Sequence, residues 1–269
     1  MSTAHVSSPA VPTLFSTEVA DRLTADHITC LAAGSVGSVR IRKFFNSGQC
    51  LEIMRALETY EMGNYDEQLV QPRIAKLGPA AYDFYGDGKL HDEYWEHAVQ
   101  STRVRSGLLD GNDPLAAAAK VLAQAWDDEV RPATSGGRDM FAGMIREINN
   151  GARMHFDEVI REFVGVLDQS PIAQIAFNCH LSTPFKGGEA VVYRRRWSPR
   201  DESQRDGYGY DRALVEGEPS AIVRADLGDA VLFDPRNYHL VEPVEGGGRR
   251  LTLSFFIGVT GRGPLCLWS

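Results

Sequence analysis

The chain has 269 residues, of which 43% are hydrophobic and 24% are charged, a length and composition that suit one globular domain with a full-sized core. Its formal net charge is -8 and its basic residues are scattered, which argues against a nucleic-acid partner and favours a small molecule. No stretch approaches the ~20 apolar residues of a membrane span, and no signal-peptide pattern is present. The four cysteines are too widely spaced for a zinc ribbon or a disulfide scaffold. We therefore expect a cytoplasmic protein without a membrane partner. The sequence leaves the oligomeric state open.

The first half of the chain is predicted to be mostly helical. Residues 1–12 are small and polar and should form a loose arm. Helical patterns follow at residues 89–109 and 114–130, the second behind Asp113, which is a good N-cap. Residues 65–90 combine turn-forming glycines with aromatic side chains, which indicates a lid or a substrate pocket. The alternative is that these aromatics only anchor a long loop.

The second half changes to short alternating runs separated by Gly-rich turns, a pattern typical of an all-β sandwich or barrel. The predicted strands are residues 144–148, the run around His155, and residues 171–181, 189–197, 221–224, 230–233, 238–241 and 251–259. The first two flank the turn Asn149-Asn150-Gly151 and predict a hairpin. Residues 198–219 predict a long polar surface loop, a candidate for the mouth of the fold. We expect one domain over residues 1–269, with about residues 1–135 supporting and covering a β core at about residues 136–269.

One stretch of the β half carries the residue types of a metal site. Successive side chains of a β-strand point to opposite faces, so His155 and Asp157 share one face. A second imidazole from a distant strand, for which His239 is the candidate, completes two histidines and one carboxylate on one face of a metal. This facial triad leaves positions open on Fe(II) for a co-substrate and dioxygen. The alternative for His155 and Asp157 is a hydrogen bond on a surface strand.

A second set of residues follows His239 and suits a carboxylate. Arg250 and Thr252 alternate onto one face of the last long strand, and a guanidinium beside a hydroxyl suits bidentate recognition of a buried carboxylate. Arg249 has the opposite parity and takes the same role if the register slips by one residue. A surface arginine at the strand end is the alternative. Asn178, on an earlier strand, is a candidate hydrogen-bond partner for co-substrate or product.

Three other groups are expected to have ordinary structural roles. His180 shares a face with Asn178 but is predicted to be a core or supporting residue, because three protein ligands are enough. The run Arg194-Arg195-Arg196 is expected on a solvated face, although alternate members could point inward and hold an anionic substrate group. His91 and His97 fall on different faces of the helix predicted at residues 89–109 and are expected to be solvated.

The order of these parts resembles the double-stranded β-helix, or jelly-roll, oxygenases that depend on Fe(II) and 2-oxoglutarate. More narrowly, the second half resembles the small-molecule branch that contains the welwitindolinone-type alkaloid halogenases and the hydroxylases of N-substituted amino acids. The matching stretches are Met144-Ile145-Arg146 leading through Gly151 to His155, Gly187-Gly188-Glu189, Val192-Tyr193, Trp197-Ser198-Pro199, Gly228-Asp229 to Tyr238-His239, Arg249-Arg250 and Leu267-Trp268-Ser269.

This resemblance implies a mainly β fold with flanking helices, in which a jelly-roll core follows a helical N-terminal part. It also implies Fe(II), 2-oxoglutarate as co-substrate, and dioxygen. The metal would lie on His155, Asp157 and His239, and the far carboxylate of 2-oxoglutarate would lie on the Arg-x-Thr strand.

Asp157 decides between the two reactions of this branch. Its halogenases carry Gly or Ala in place of the carboxylate, and the vacancy admits chloride to the iron. An aspartate implies a hydroxylase that oxidises an unactivated C–H bond of a free small molecule and releases succinate and CO2. The substrate would be an amino acid derivative or a natural-product intermediate of secondary metabolism. Desaturation or cyclisation at the same site, and a non-catalytic jelly-roll binding protein, are the alternatives.

Overall fold

The computed structural model describes residues 15–261 and 263–269, so the arm predicted at residues 1–12 lies outside the described residues. The helices are α1 (Ala25–Ala32), α2 (Ser47–Leu57), α3 (Ala81–Phe84), α4 (Asp92–Arg105), α5 (Pro114–Trp126) and α6 (Val159–Glu162), with two 3-10 helices at Pro199–Gln204 and Arg212–Val215.

The strands of the first half are β1 (Thr17–Ala20), β2 (Ser38–Ile41), β3 (Gly63–Asn64), β4 (Ala75–Leu77), β5 (Tyr85–Gly86), β6 (Lys89–Leu90), β7 (Val130–Pro132), β8 (Thr134–Ser135) and β9 (Arg138–Asp139). Those of the second half are β10 (Met144–Glu147), β11 (Ala152–His155), β12 (Ala173–Ser182), β13 (Lys186–Gly187), β14 (Ala190–Arg196), β15 (Arg205–Asp206), β16 (Gly209–Tyr210), β17 (Ser220–Val223), β18 (Ala230–Phe233), β19 (Asn237–Val241), β20 (Val244–Glu245), β21 (Leu251–Val259) and β22 (Leu265–Trp268).

Two sheets build the core. The large one has the strand order β1-β2-β18-β12-β21-β10-β4-β3, with β22 beside β21 and β7 beside β22. The small one has the order β11-β19-β14-β17. An apolar cluster joins the sheets, with Ala176 and Val231 from the large sheet and Val192 and Val223 from the small one. The inner faces therefore enclose a common interior.

Eight of these strands form a jelly roll. In chain order β10, β12, β18 and β21 lie in the large sheet, whereas β11, β14, β17 and β19 lie in the small one. The chain therefore crosses repeatedly from one sheet to the other, as in a double-sheet jelly roll. The predicted mainly β fold with a jelly-roll core and flanking helices is confirmed.

The predicted hairpin on either side of Asn149-Asn150-Gly151 is wrong. Strand β10 pairs with β21 and β4, whereas β11 pairs with β19 in the other sheet. The turn instead carries the chain between the sheets. Its Asn149 carbonyl accepts a hydrogen bond from the Val244 N–H at 2.8 Å, and its Asn149 side chain accepts one from the Arg250 N–H at 2.9 Å. A turn signal locates the reversal of the chain but does not choose the partner strand.

Helices cover the outer face of the large sheet. Both α1 and α2 contact β12, and the fully buried Ile28 and Ile53 of these helices share one apolar cluster with Ile175 and Phe177 of the strand. Leu253 of β21 belongs to the same cluster. Among the described residues, no helix combines the length and apolar character that crossing a membrane requires.

The two long helices are shorter than the patterns at residues 89–109 and 114–130 predict. Helix α4 starts only after the β5–β6 pair, which takes up the first of these residues. Helix α5 begins as predicted, because the Asp113 side chain accepts a hydrogen bond from the Leu115 N–H. It ends where Asp127 adopts a left-handed conformation with φ 59°, and Val130 already belongs to β7. Helical periodicity therefore located both helices but extended them into short strands and turns.

A buried ion pair fixes the turn before β18. Asp229 is 2% exposed, and its carboxylate accepts hydrogen bonds from Arg40 Nε at 2.5 Å and from the Lys43 N–H at 2.8 Å. The same turn holds β12, because the Gly228 N–H donates to the His180 carbonyl and the His180 N–H donates to the Asp229 carbonyl, both at 2.8 Å. The ion pair thus fixes the backbone that carries His180.

We expect Asp229→Ala to lower the free energy of unfolding by about 3 kcal/mol, because Arg40 loses its buried partner and the N–H groups of Lys43 and Asp226 lose their acceptor. Asp226 is the matched control, since its exposed carboxylate pairs with the same guanidinium at 2.6 Å. Asp226→Ala should cost less than about 1 kcal/mol. Urea unfolding of both variants measures the difference, and equal losses would contradict a structural role for burial of Asp229.

Candidate active site

The two candidate histidines are neighbours in the small sheet. His155 ends β11 and pairs directly with His239 of β19, and their ring centroids are 4.2 Å apart. Val192 of β14 pairs with His239 on the other side, so β19 lies between β11 and β14 in the sheet. The antiparallel ladder therefore brings together two imidazoles that are far apart in the sequence.

Asp157 completes the group just beyond the end of β11. Its N–H donates to the Pro235 carbonyl at 2.8 Å, and its Oδ2 lies 3.8 Å from His155 Nε2 and 3.5 Å from His239 Nε2. One ligand atom from each of the three residues lies within 4.8 Å of the others. Two imidazole nitrogens and one carboxylate oxygen thus converge on a common point, which is the donor set of a 2-His-1-carboxylate iron site.

The outer nitrogens of both rings face backbone carbonyls. His155 Nδ1 lies 2.7 Å from the Arg153 carbonyl, and His239 Nδ1 lies 3.0 Å from the Asn237 carbonyl. A neutral imidazole donates through one nitrogen and accepts through the other, so these contacts place the proton on Nδ1. They leave the lone pair of each Nε2 directed to the shared point, as in metal sites where a second partner fixes the tautomer.

The protonation states also suit a divalent metal. Burial lowers the pKa of His155 to about 4, and the neighbouring His239 acts in the same direction. Burial raises the pKa of Asp157, but His155 and His239 outweigh this effect and bring it to about 2. At neutral pH the imidazole of His155 is therefore uncharged and the carboxylate of Asp157 is ionised, as metal coordination requires.

The triad lies in the wall of a cavity of about 160 Å³ between the sheets. Residues 65–90 contribute Tyr65 and Tyr82 to its lining, and residues 198–219 contribute Arg205 and Tyr208. The Tyr208 ring packs edge-on against His155 with centroids 5.4 Å apart. Residues 198–219 contain two 3-10 helices and the β15–β16 pair, and so have more regular structure than a predicted polar loop.

Arg250 provides an unpaired charge in this cavity. Its side chain is almost fully buried, and its Nε donates to the Gly188 carbonyl at 2.9 Å. Its buried Nη1 has no hydrogen-bond partner in the described part of the chain. Burial, and then the charge of Arg146, lower the pKa of Arg250 to about 9, so the group remains cationic at neutral pH. A buried cation with a free donor fits an incoming carboxylate.

Three polar side chains form a chain beside Arg250. Thr252 Oγ1 and Ser254 Oγ are 2.9 Å apart, and Ser254 donates to Asn178 Oδ1 at 2.9 Å. Arg146 Nη2 also donates to Asn178 Oδ1, at 3.0 Å. Because these two bonds occupy the Asn178 carbonyl oxygen, its NH₂ group is available to a ligand. Asn178 and Ser254 line the cavity, whereas Thr252 does not and supports Ser254 instead.

The other candidates of the sequence lie elsewhere. The Arg249 guanidinium forms an exposed ion pair with Glu147 at 2.7 Å and does not line the cavity. Arg195 and Arg196 pair with Asp201 and Asp234, each within hydrogen-bonding distance, and no member of the run lines the cavity, so the alternative that this run binds a substrate anion has no support. His91 and His97 are exposed and outside the cavity.

His180 lines the cavity. Burial, followed by the charge of Arg250, lowers its pKa to about 3, and it does not belong to the three-residue group of possible metal ligands. A neutral, supporting His180 is therefore what the structure contains.

Several polar cavity residues, among them Arg146, Glu162 and Arg205, were not predicted from the sequence. Arg146 lines the cavity and has a buried Nε without a partner among the described residues. Its position on β10 between the cavity residues Met144 and Ile148 follows the two-residue period, so strand parity could have found it. Glu162 also lines the cavity, but it projects from the single turn of α6, for which the sequence holds no pattern long enough to read.

Known proteins identify the family. Residues 14–263 match the family model of the carrier-protein-independent halogenase WelO5. The chain belongs to this family. It is also 38% identical to the L-γ-glutamyl-L-propargylglycine hydroxylase of Streptantibioticus cattleyicolor, in a match that covers 98% of this chain and 97% of the relative. The suspected resemblance to the WelO5-type branch is confirmed.

A solved structure shows the same fold at lower identity. The N-substituted L-amino acid dioxygenase of Burkholderia ambifaria, in complex with α-ketoglutarate, superposes with a TM-score of 0.59 at 16% identity, covering 91% of each chain. As a member of the WelO5 family the chain is an Fe(II)- and 2-oxoglutarate-dependent oxygenase that uses dioxygen. The predicted enzyme class and cofactors are confirmed.

We expect Arg250→Met to raise the free energy of unfolding by about 1 kcal/mol when 2-oxoglutarate is absent, because an apolar side chain replaces a buried, unpaired cation. Saturating 2-oxoglutarate should then stabilise the wild type but not this variant. The matched control is Arg249→Met, which loses only an exposed pair and should change stability by less than about 0.5 kcal/mol. Urea titrations with and without 2-oxoglutarate measure both effects, and stabilisation of Arg250→Met by 2-oxoglutarate would exclude Arg250 from binding it.

Proposed function

We propose that this enzyme hydroxylates an unactivated C–H bond of a free amino acid derivative, with succinate and CO2 as co-products. One observation carries the choice of hydroxylation over halogenation, although the family model is that of a halogenase. Asp157 Oδ2 lies beside Nε2 of both His155 and His239 and so fills the third ligand position. A carboxylate there leaves no vacancy in the ligand set for chloride.

Each residue of the site has a proposed role. His155, Asp157 and His239 hold Fe(II), which together with 2-oxoglutarate and dioxygen supplies the oxidising power for C–H hydroxylation when bound. Arg250 holds the far carboxylate of 2-oxoglutarate through its free Nη1, supported by Ser254. The NH₂ group of Asn178 donates a hydrogen bond to co-substrate or product, and Thr252 keeps the Ser254 hydroxyl in place.

The surrounding chain orients these groups and limits the access of water. The backbone carbonyls at Arg153 and Asn237 keep both imidazoles in one tautomer. Aromatic rings of Tyr65, Tyr82 and Phe163 line the cavity, and we propose that residues 65–90 act as the lid over the substrate. Strands from both halves of the chain lie in the same large sheet, which supports a single oxygenase domain over residues 1–269.

The substrate class rests on the relative and on the charges of the cavity. The relative from Streptantibioticus cattleyicolor is named for a γ-glutamyl dipeptide, and the match covers nearly both chains. Arg146, Arg205 and Arg250 all line the cavity, so a substrate carboxylate is well accommodated after 2-oxoglutarate has bound. This supports an anionic small molecule rather than a nucleic acid or a membrane.

The four cysteines are free thiols, which supports a cytoplasmic location. Desaturation or cyclisation would use the same residues.

Anaerobic titration with Fe(II) and then 2-oxoglutarate tests the site before any substrate is known. We expect the weak visible charge-transfer band of the iron–2-oxoglutarate chelate in the wild type and its loss in His155→Ala, because an iron ligand is missing. His91→Ala is the control, since His91 is exposed and outside the cavity, and it should keep the band. Absence of the band in folded wild-type protein would support the non-catalytic binding protein instead.

Asp157→Gly should abolish hydroxylation. Loss of an iron ligand exceeds the roughly 10- to 100-fold effect of residues that only support ligands, so we expect a residual rate below about one-hundredth of wild type. Product is measured by mass spectrometry with L-γ-glutamyl-L-propargylglycine as the first substrate and with chloride present, so that a chlorinated product is also detected. The surface variant Asp226→Ala should retain the wild-type rate. Strong hydroxylation by Asp157→Gly would count against the assignment of Asp157 as a ligand.

A further inference from the structure

Glu162 has a fixed carboxyl group with one free oxygen inside the cavity. Helix α6 follows Asp157 closely and ends at Glu162, whose side chain lines the cavity. Its Oε2 accepts a hydrogen bond from the Glu158 N–H at 2.8 Å, which orients the group. Over residues 15–261 and 263–269, Oε1 has no hydrogen-bond donor and the carboxyl group has no ion-pair partner. The proposed metal and 2-oxoglutarate sites do not use this group.

Two aromatic rings accompany this carboxyl group. Phe163 follows Glu162 in the chain, and its ring meets that of Tyr82 at 84° with centroids 6.4 Å apart. Both rings line the cavity. The pKa of the Tyr82 hydroxyl is raised. Burial is the largest cause, the charge of Arg205 opposes it, and the charge of Glu162 adds to it. A carboxylate beside aromatic rings is the environment that proteins provide for an ammonium group.

Arg205 provides a positive charge in the same cavity, which can bind the carboxylate of a substrate. It lines the same cavity and is exposed. Burial and the charge of Asp157 raise the pKa of Glu162 to about 8, while Arg205 acts in the opposite direction. At neutral pH the empty cavity therefore holds mostly the protonated carboxyl group, and a bound ammonium group shifts it to the carboxylate. Both side chains line the same cavity, and no ion pair joins them in the described part of the chain. A molecule with an ammonium and a carboxylate group can therefore present one charged group to each side chain from within the cavity.

We propose that Glu162 and Arg205 together bind the α-amino acid head group of the substrate. Its ammonium donates to Glu162 Oε1 beside Tyr82 and Phe163, and its α-carboxylate lies against Arg205. This inference rests on the proposed function and narrows the substrate to molecules with a free α-amino and a free α-carboxyl group. An N-acylated amino acid has no ammonium and leaves Oε1 of the half-buried Glu162 without a donor, which costs binding energy.

Paired probes test this selectivity. L-γ-glutamyl-L-propargylglycine and L-norleucine are each compared with their Nα-acetyl derivatives by calorimetry, on protein loaded anaerobically with Fe(II) and 2-oxoglutarate. In the wild type, at least one free amine should bind at least about tenfold more tightly than its acetylated partner, because acetylation removes the charge that Glu162 binds. Glu162→Gln keeps the acceptor for the Glu158 N–H but loses the charge, so it should reduce this ratio to within about twofold and leave binding of the acetylated probe unchanged.

Controls separate this role from a structural one. Glu245→Gln removes an exposed carboxylate that pairs with Lys186 outside the cavity, and it should keep the wild-type ratio. Arg205→Gln should weaken the free acids but not their α-carboxamides. The iron–2-oxoglutarate band must persist in Glu162→Gln, and if that variant does not fold, Glu162→Asp serves as the second variant, with a ratio between those of Glu162→Gln and the wild type.

Three results would overturn the proposal: no preference for the free amine in the wild type, no binding of any probe, or a preference that survives in Glu162→Gln. Each of these would leave the proposed oxygenase function intact as long as the iron–2-oxoglutarate band forms. Loss of that band in the wild type would instead contradict the proposed function itself.

Discussion

The pairing of β11 with β19 is the constraint on which the site depends. It sets His155 directly opposite His239 and places Asp157 within 4 Å of both imidazoles. A shift of one residue would turn one imidazole to the other face of the sheet. Two further contacts stabilise this register: β14 pairs with β19 on its other edge, and the Asp157 N–H donates a hydrogen bond to the Pro235 carbonyl. The jelly roll thus serves as a frame that makes this register reproducible.

The cavity gives up stability in order to bind charged molecules. Arg250 and Arg146 each have a buried nitrogen without a partner among the described residues, and the charge of one lowers the pKa of the other. Such a pair costs free energy in the empty protein. A dicarboxylate co-substrate and an anionic substrate reverse the cost. Glu162 adds an acidic group to the same cavity, and burial together with the charge of Asp157 raises its pKa.

The family and the individual chemistry are decided by different features. The WelO5 family model matches residues 14–263, almost the whole fold, and yet the family resemblance implies that the residue at position 157 distinguishes halogenation from hydroxylation. We assign the third ligand position to Asp157, whose Oδ2 lies within 4 Å of both imidazoles, and a relative with 38% identity over almost the whole chain is named as a hydroxylase. A shared jelly roll therefore establishes the iron chemistry in general, whereas the ligand set decides which group reaches the substrate.

The sequence by itself determined which of the candidate side chains share a face of their strand. Alternation along a strand placed His155 with Asp157 and separated Arg250 from Arg249, because that period is a local property of extended backbone. It also predicted the strands of the second half, which indicate an all-β sandwich or barrel, whereas the jelly roll followed from the resemblance alone. Tertiary structure decided which strands pair, so the hairpin before His155 was wrong, and it decided which charges stay unpaired. Glu162 reaches the cavity only because the chain folds around it, since burial and proximity depend on residues far away in the sequence.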